Sequence, residues 1–158
     1  MTYLYLFLGL VVIVAMAGMF MVGPDRGGPA AVIVPFTALA EGAQSEVSAR
    51  VNYLITTPEE LAELWKLLKE PPPPPTVDFD KNVVAAIFAG EVPTAGYSIT
   101  VAEVRDTADR MVKVELTKPG EGCVLAQSVA APYQIIELPK TSLPFTHEDI
   151  VTTVRCRQ

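Results

Sequence analysis

Hydrophobic and polar positions divide the chain into three stretches with different rhythms. Tyr3 to Val22 reads YLYLFLGLVVIVAMAGMFMV, twenty residues without a charge or a strongly polar side chain. At 1.5 Å per residue a helix of that length spans about 30 Å, the hydrocarbon thickness of a bilayer. Inside lipid a helix is the default, because it satisfies its own backbone polar groups. Residues 1–22 are therefore expected to be a single N-terminal transmembrane helix, with Tyr3 and Tyr5 near an interface. Residues 23–43 are rich in glycine, proline and small apolar side chains and are expected to be a linker, in which residues 30–43 suit either a short extended piece or an ordered continuation of it. From Gln44 onward the pattern takes on strand and helix periods, which predicts one β-rich domain over residues 44–158.

Within that domain Val47, Ala49, Val51, Tyr53 and Ile55 alternate with Ser48, Arg50 and Asn52, a strand pattern. A helix follows with explicit start signals. Thr57 caps, Pro58 takes the first position and Glu60 completes a capping box. Leu61, Leu64, Trp65 and Leu68 form one apolar stripe, and the helix ends before Pro71 to Pro75. Those five prolines are expected to be a stiff polyproline II spacer about 15 Å long. Further strands are expected over 82–89, 96–104, 111–117, 123–130, 133–138 and 149–155. The near-continuous run Val83, Val84, Ile87 and Phe88 points to a central strand. The expected class is mainly β (α+β): an antiparallel sandwich or partly open barrel with one packed helix, behind a transmembrane helix.

The mean hydropathy of +0.33 is raised by the N-terminal apolar run. A cleaved secretory signal is the rival reading of that run. No Lys or Arg precedes it, however, and it exceeds the usual apolar core of a signal. Arg26 stands beside Asp25, so flanking charge barely orients the span. With two residues ahead of it, the domain is expected on the extracytoplasmic side of the cell membrane. The net charge is −6 and no basic stripe exists, so nucleic acid is not an expected partner. Cys123 and Cys156 lack metal-ligand spacing, and an even count in an exported domain points to one disulfide. Two buried free thiols would satisfy the same count.

Chemistry-bearing patterns are sparse. His147 is the single histidine, which leaves metal ligation without a second imidazole. A hydrolase using Ser98 or Ser128 with His147 lacks any nucleophile-elbow pattern. Asp78 and Asp80 suit a turn. Neither a cofactor nor a metal is expected. More informative is the loop Gly90-Glu91-Val92-Pro93-Thr94-Ala95-Gly96-Tyr97-Ser98. Pro93 restricts one φ and the glycines permit positive φ, so the loop is compact and suited to recognition. A plain β-turn with Tyr97 packed on the sheet would use the same residues.

The Asp78-Phe79 segment, the strand ending at Gly90, the Pro93-Thr94-Ala95-Gly96-Tyr97-Ser98 loop, Pro119-Gly120-Glu121-Gly122-Cys123 and Ala131-Pro132-Tyr133 together resemble the C-terminal domain of the PrcB family. The resemblance covers about residues 45–156 and departs at Ala95, where the family usually has glycine. That family comprises bacterial exported proteins named for a subunit supporting a surface protease complex. The resemblance implies a non-enzymatic domain that binds or stabilises an exported protein, such as a protease. Candidate binding residues are Pro93, Thr94, Gly96, Tyr97, Ser98, Pro132 and Tyr133. The stretch from Pro93 to Tyr97 is also similar to a loop of chagasin-like cysteine-protease inhibitors, which implies inhibition through residues 91–97 as an alternative.

Overall fold

The computed structural model describes residues 30–156. The anchor expected over residues 1–22 lies outside them. Among the described residues no helix is long and apolar enough to cross a membrane. Eight strands and one helix follow in order: β1 Val32–Ile33, β2 Thr37–Gly42, β3 Val51–Ile55, α1 Pro58–Trp65, β4 Asn82–Phe88, β5 Ser98–Asp106, β6 Arg110–Pro119, β7 Tyr133–Pro139 and β8 Phe145–Val154. They form two four-stranded sheets, ordered β1-β5-β6-β8 and β2-β7-β4-β3.

Two layers of side chains hold three layers of structure together. Between the sheets lie Val83, Ala85 and Ile87 of β4, Ile136 and Leu138 of β7, and Ile99, Val101, Val104, Val112 and Val114 of β5 and β6. The outer face of the β2-β7-β4-β3 sheet carries Val84, Ala86, Phe88, Tyr133 and Ile135, packed against Leu61, Leu64, Trp65 and Leu68. The expected sandwich with one packed helix is observed, and α1 covers one sheet. Burial on both faces explains why β4 reads as an unbroken apolar run.

Thr57 caps α1 as expected, its hydroxyl accepting from the Glu60 amide at 3.2 Å. The Glu60 carboxylate returns to the Thr56 amide at 2.7 Å, which holds its pKa below the usual carboxylate value. The helix ends at Trp65. Two tighter bonds, Leu67 N–H to Leu64 and Leu68 N–H to Trp65, still carry Leu68 into the core. The prolines expected to act as a spacer are tied to the helix: the Trp65 indole donates to the Pro71 carbonyl at 3.1 Å. Val77 and Phe79 beyond them pack on the same apolar cluster.

Three expectations are corrected. The linker expected to extend to residue 43 gives way earlier, because β1 pairs with β5 and β2 with β7. The small residues of 31–43 hide this behind a weak pattern, and their backbone pairing supplies the order. Residues 123–130 are not a strand: their regular pairing is one bridge, Val92 to Ala130. Finally, the sheets are not wholly antiparallel. β8 begins at Phe145 and runs parallel to β6, from Arg110 opposite Phe145 to Pro119 opposite Val154. This is possible because β7 crosses through the other sheet between them and so serves as the crossover that a parallel pair requires.

Candidate functional site

The loop from Gly90 to Tyr97 lies at the end of the sandwich where β4 hands over to β5. Its entry is sterically specified. Gly90 has φ +77°, and a Cβ there would meet the Ser48, Ala49 and Arg50 backbone at 2.8 Å. The adjacent Glu91 amide donates to the Ser48 carbonyl at 3.0 Å. No L-residue with a side chain fits that space or that conformation without displacing main chain. Gly96 has φ +90° and lies under the Leu125 side chain.

That contact brings in residues 120–130, whose role was not legible in the pattern. Val92 and Ala130 exchange backbone bonds at 2.8 and 3.0 Å, and the Ala95 amide donates to the Ala126 carbonyl at 3.2 Å. The two loops therefore run side by side. Cys123 is disulfide-bonded to Cys156, with 5.4 Å between their Cα atoms, which ties the second loop to the chain just beyond β8. The Gly120 amide donates to the Val154 carbonyl at 2.9 Å and reinforces the tie.

The candidate residues separate by exposure. Pro93, Gly96 and Ser98 are exposed, and Thr94 and Tyr97 are half-buried. Tyr97 and Ser98 line a shallow cavity of about 300 Å³ with Glu41, Gly42 and Thr100. Pro132 and Tyr133 belong to the interior instead. Tyr133 is 2% exposed and its hydroxyl donates to Glu70 at 2.6 Å. Burial pushes the Tyr133 pKa up, with help from the Glu70 carboxylate. Both side chains are buried, Tyr133 within the helix-side cluster, and Tyr133 reaches the cavity lined by Tyr97 and Ser98 only from beneath its wall residue Gly42.

A buried polar clasp supports this end. Gln134, between the sheets, accepts from the Val101 amide at 2.6 Å through Oε1 and donates to Glu41 at 3.1 Å through Nε2. Val101 adjoins the register shift in β5, so the Gln134 carbonyl satisfies a backbone donor at the irregularity. No periodicity in the sequence announces this role.

His147 lies at the other end. It is paired opposite Val112 on β6, whereas Ser98 is opposite Thr117. Five strand residues separate those levels, roughly 16 Å, far beyond hydrogen-bond reach of a general base. Ser128 lies between the Ala126 and Ala130 contacts and so belongs to the loop end with Ser98. Asp78 sits in a turn, as its pattern suggests: its carboxylate accepts from the Asp80 amide and pairs with Lys81. Among the described residues no three His, Cys, Asp or Glu side chains gather as a metal site.

Residues 83–139 match the protein-family model described as PrcB C-terminal. The chain is PrcB-like over these residues. The match takes in β4 to β7, both loops of the candidate site and Cys123. The PrcB-like segment thus contains the central strands of both sheets, while α1 and Cys156 lie outside the matched range. No curated protein and no solved structure matches the chain.

Proposed function

We propose that this chain is a non-catalytic, membrane-tethered interaction domain on the extracytoplasmic side, which binds or stabilises an exported protein such as a protease. One observation carries the reading: the PrcB-like segment presents Pro93, Thr94, Gly96, Tyr97 and Ser98 on a loop that backbone bonds brace against residues 126–130, and a disulfide ties that second loop to the chain beyond β8. A pre-formed loop loses little conformational freedom on binding, so its contacts translate into affinity. The uncharged run from Tyr3 to Val22 supports a tether, and the disulfide suits an oxidising compartment.

Crosslinking on intact cells followed by mild solubilisation tests this. The full-length chain should recover a protein partner reproducibly, and Tyr97→Ala should reduce that recovery. A chain that purifies alone under those conditions overturns the reading. Exposure of Pro93 and Gly96 beside Tyr97 also suits the inhibitor alternative. In that case the full-length chain should inhibit cysteine proteases at micromolar concentration, and a panel without inhibition removes that reading.

A further inference from the structure

The four sheet edges are not equally guarded. β1 is two residues long, and β2 has a register irregularity between Ala38 and Ala40. β8 carries His147, Glu148 and Asp149 along the half near β3. Short length, irregular register and charge are the devices by which natural sheets discourage further pairing. β3, VNYLI, has none of them. It pairs with β4 in unbroken register, carries no charge or proline, and has no partner strand on its other side among the described residues. Tyr53 and Leu54 are each 43% exposed.

The surroundings of β3 differ on its two faces. Val51 and Ile55 pack with the helix-side cluster, so the period of two puts Tyr53 on that face and Leu54 on the other. Leu54 borders a groove of about 400 Å³ between the two sheets, lined also by Ile87, Val112, Phe145 and His147. Arg50 and Asp149, paired at 2.6 Å, bridge the two strands that border it. Tyr53 borders a wider groove against α1, where Leu64 and Leu67 lie beside Glu59, Glu60 and Glu63. Glu60 is engaged by Thr56 and Glu63 by Lys66, and Glu59 makes no ion pair among the described residues. One face of the edge thus borders a groove with an apolar floor that Arg50, Asn52, Thr146 and His147 also line, and the other is apolar with an acidic rim.

We propose that β3 is a docking edge for an extended segment of another protein in which apolar and basic residues alternate. The segment adds a strand to the β2-β7-β4-β3 sheet through main-chain hydrogen bonds. Its apolar side chains fill the groove beside Leu54. Its lysine or arginine stems lie along Tyr53, Leu64 and Leu67, with their charges meeting Glu59. This edge is distinct from the loop at residues 91–97, and binding here does not depend on that loop's role.

The probe is a blocked, fluorescein-labelled eight-residue peptide alternating valine and lysine. It is titrated by anisotropy against the full-length chain in zwitterionic nanodiscs, with empty nanodiscs subtracted. Binding should weaken at least tenfold when glutamate replaces lysine. N-methylation of alternate amides should weaken it at least tenfold on one peptide edge and much less on the other. Leu54→Lys should weaken it at least tenfold with an unchanged circular dichroism spectrum, and Glu59→Lys about threefold. Should Leu54→Lys fail to fold, the methylated peptides still decide. Hydrogen exchange should slow at residues 51–55 when the peptide is present. Equal binding of the glutamate peptide, or equal effects of methylation on both edges, overturns the proposal. So does protection of residues 51–55 that rises with protein concentration in the absence of peptide, which would assign the edge to a second copy of the chain.

Discussion

The two sheets solve the same packing problem under different conditions. In the β2-β7-β4-β3 sheet the central strands are covered twice, by the facing sheet and by α1, so Val83 through Phe88 are all buried. In the β1-β5-β6-β8 sheet one face is dry. Along β6, buried Arg110, Val112 and Val114 alternate with partly exposed Met111, Lys113 and Glu115. A doubly covered sheet is held by burial. A singly covered one leans more on local ties, and here these are a buried arginine near the start of β6 and a disulfide beyond the ends of β6 and β8.

The largest expected loss follows from opening the doubly covered sheet. Phe88→Ala should cost about 3–5 kcal/mol in urea unfolding, because the ring is fully buried against Tyr53 and Tyr133. If its effect proved no larger than that of an outward substitution on β6, the contrast between the sheets would fail.

The disulfide comes next. Replacing Cys123 and Cys156 with serine should cost roughly 3–4 kcal/mol in the chain-entropy account. The loss should loosen residues 120–130 and the end of β8, and leave β4 and β7 protected in hydrogen exchange.

Arg110 tests the singly covered sheet from its other end. The residue is 3% exposed, and its guanidinium makes two bonds of 2.7 Å to Asp106. It also donates to the Pro139 carbonyl and lies over the Phe145 ring at 5.7 Å. Arg110→Ala should cost about 2–3 kcal/mol, below the full price of breaking a buried pair because Asp106 retains some solvent. The Arg110 hydrogen bonds hold the Asp106 carboxyl below its ordinary pKa. A depressed folded-state pKa stabilises above the unfolded value, about 3.9, and that stability disappears as pH falls through the folded value. The gap between wild type and Arg110→Ala should therefore be full at neutral pH and narrow below about pH 4. A gap that stays constant across that range would mean the ion pair contributes nothing.

The smallest effect belongs to the outward face. Lys113→Thr should stay within about 0.5 kcal/mol, since the position is outward on β6 and a β-branched residue suits a strand. A larger loss would show that this face is covered too.

Much of this was legible in the residues themselves. The start of α1 is written in Thr57, Pro58 and Glu60, because capping is a contact between residues three apart. The central place of β4 is written in its unbroken apolar run. The loop at Gly90 is written in glycines that the backbone requires. The candidate site was only half legible. Pro93 to Ser98 could be placed on a turn by their chemistry, but Tyr133, offered as a candidate binding residue, is buried in the helix-side cluster. The bracing of the site by residues 125–130 and Gln134 had no local signal, because those contacts join strands and loops far apart in the chain.

What the sequence determined alone was therefore local: the uncharged run from Tyr3 to Val22, the helix cap, the central strand and the turn residues. The tertiary structure decided which small-residue segments became β1 and β2. It also decided that β8 pairs parallel to β6, that Cys123 meets Cys156, and that the outer edge of β3 has no partner strand among the described residues. Periodicity and propensity act over a few residues. Edge position, sheet partner and cross-link depend on which surfaces remain when all the strands have packed, and only the whole chain specifies that.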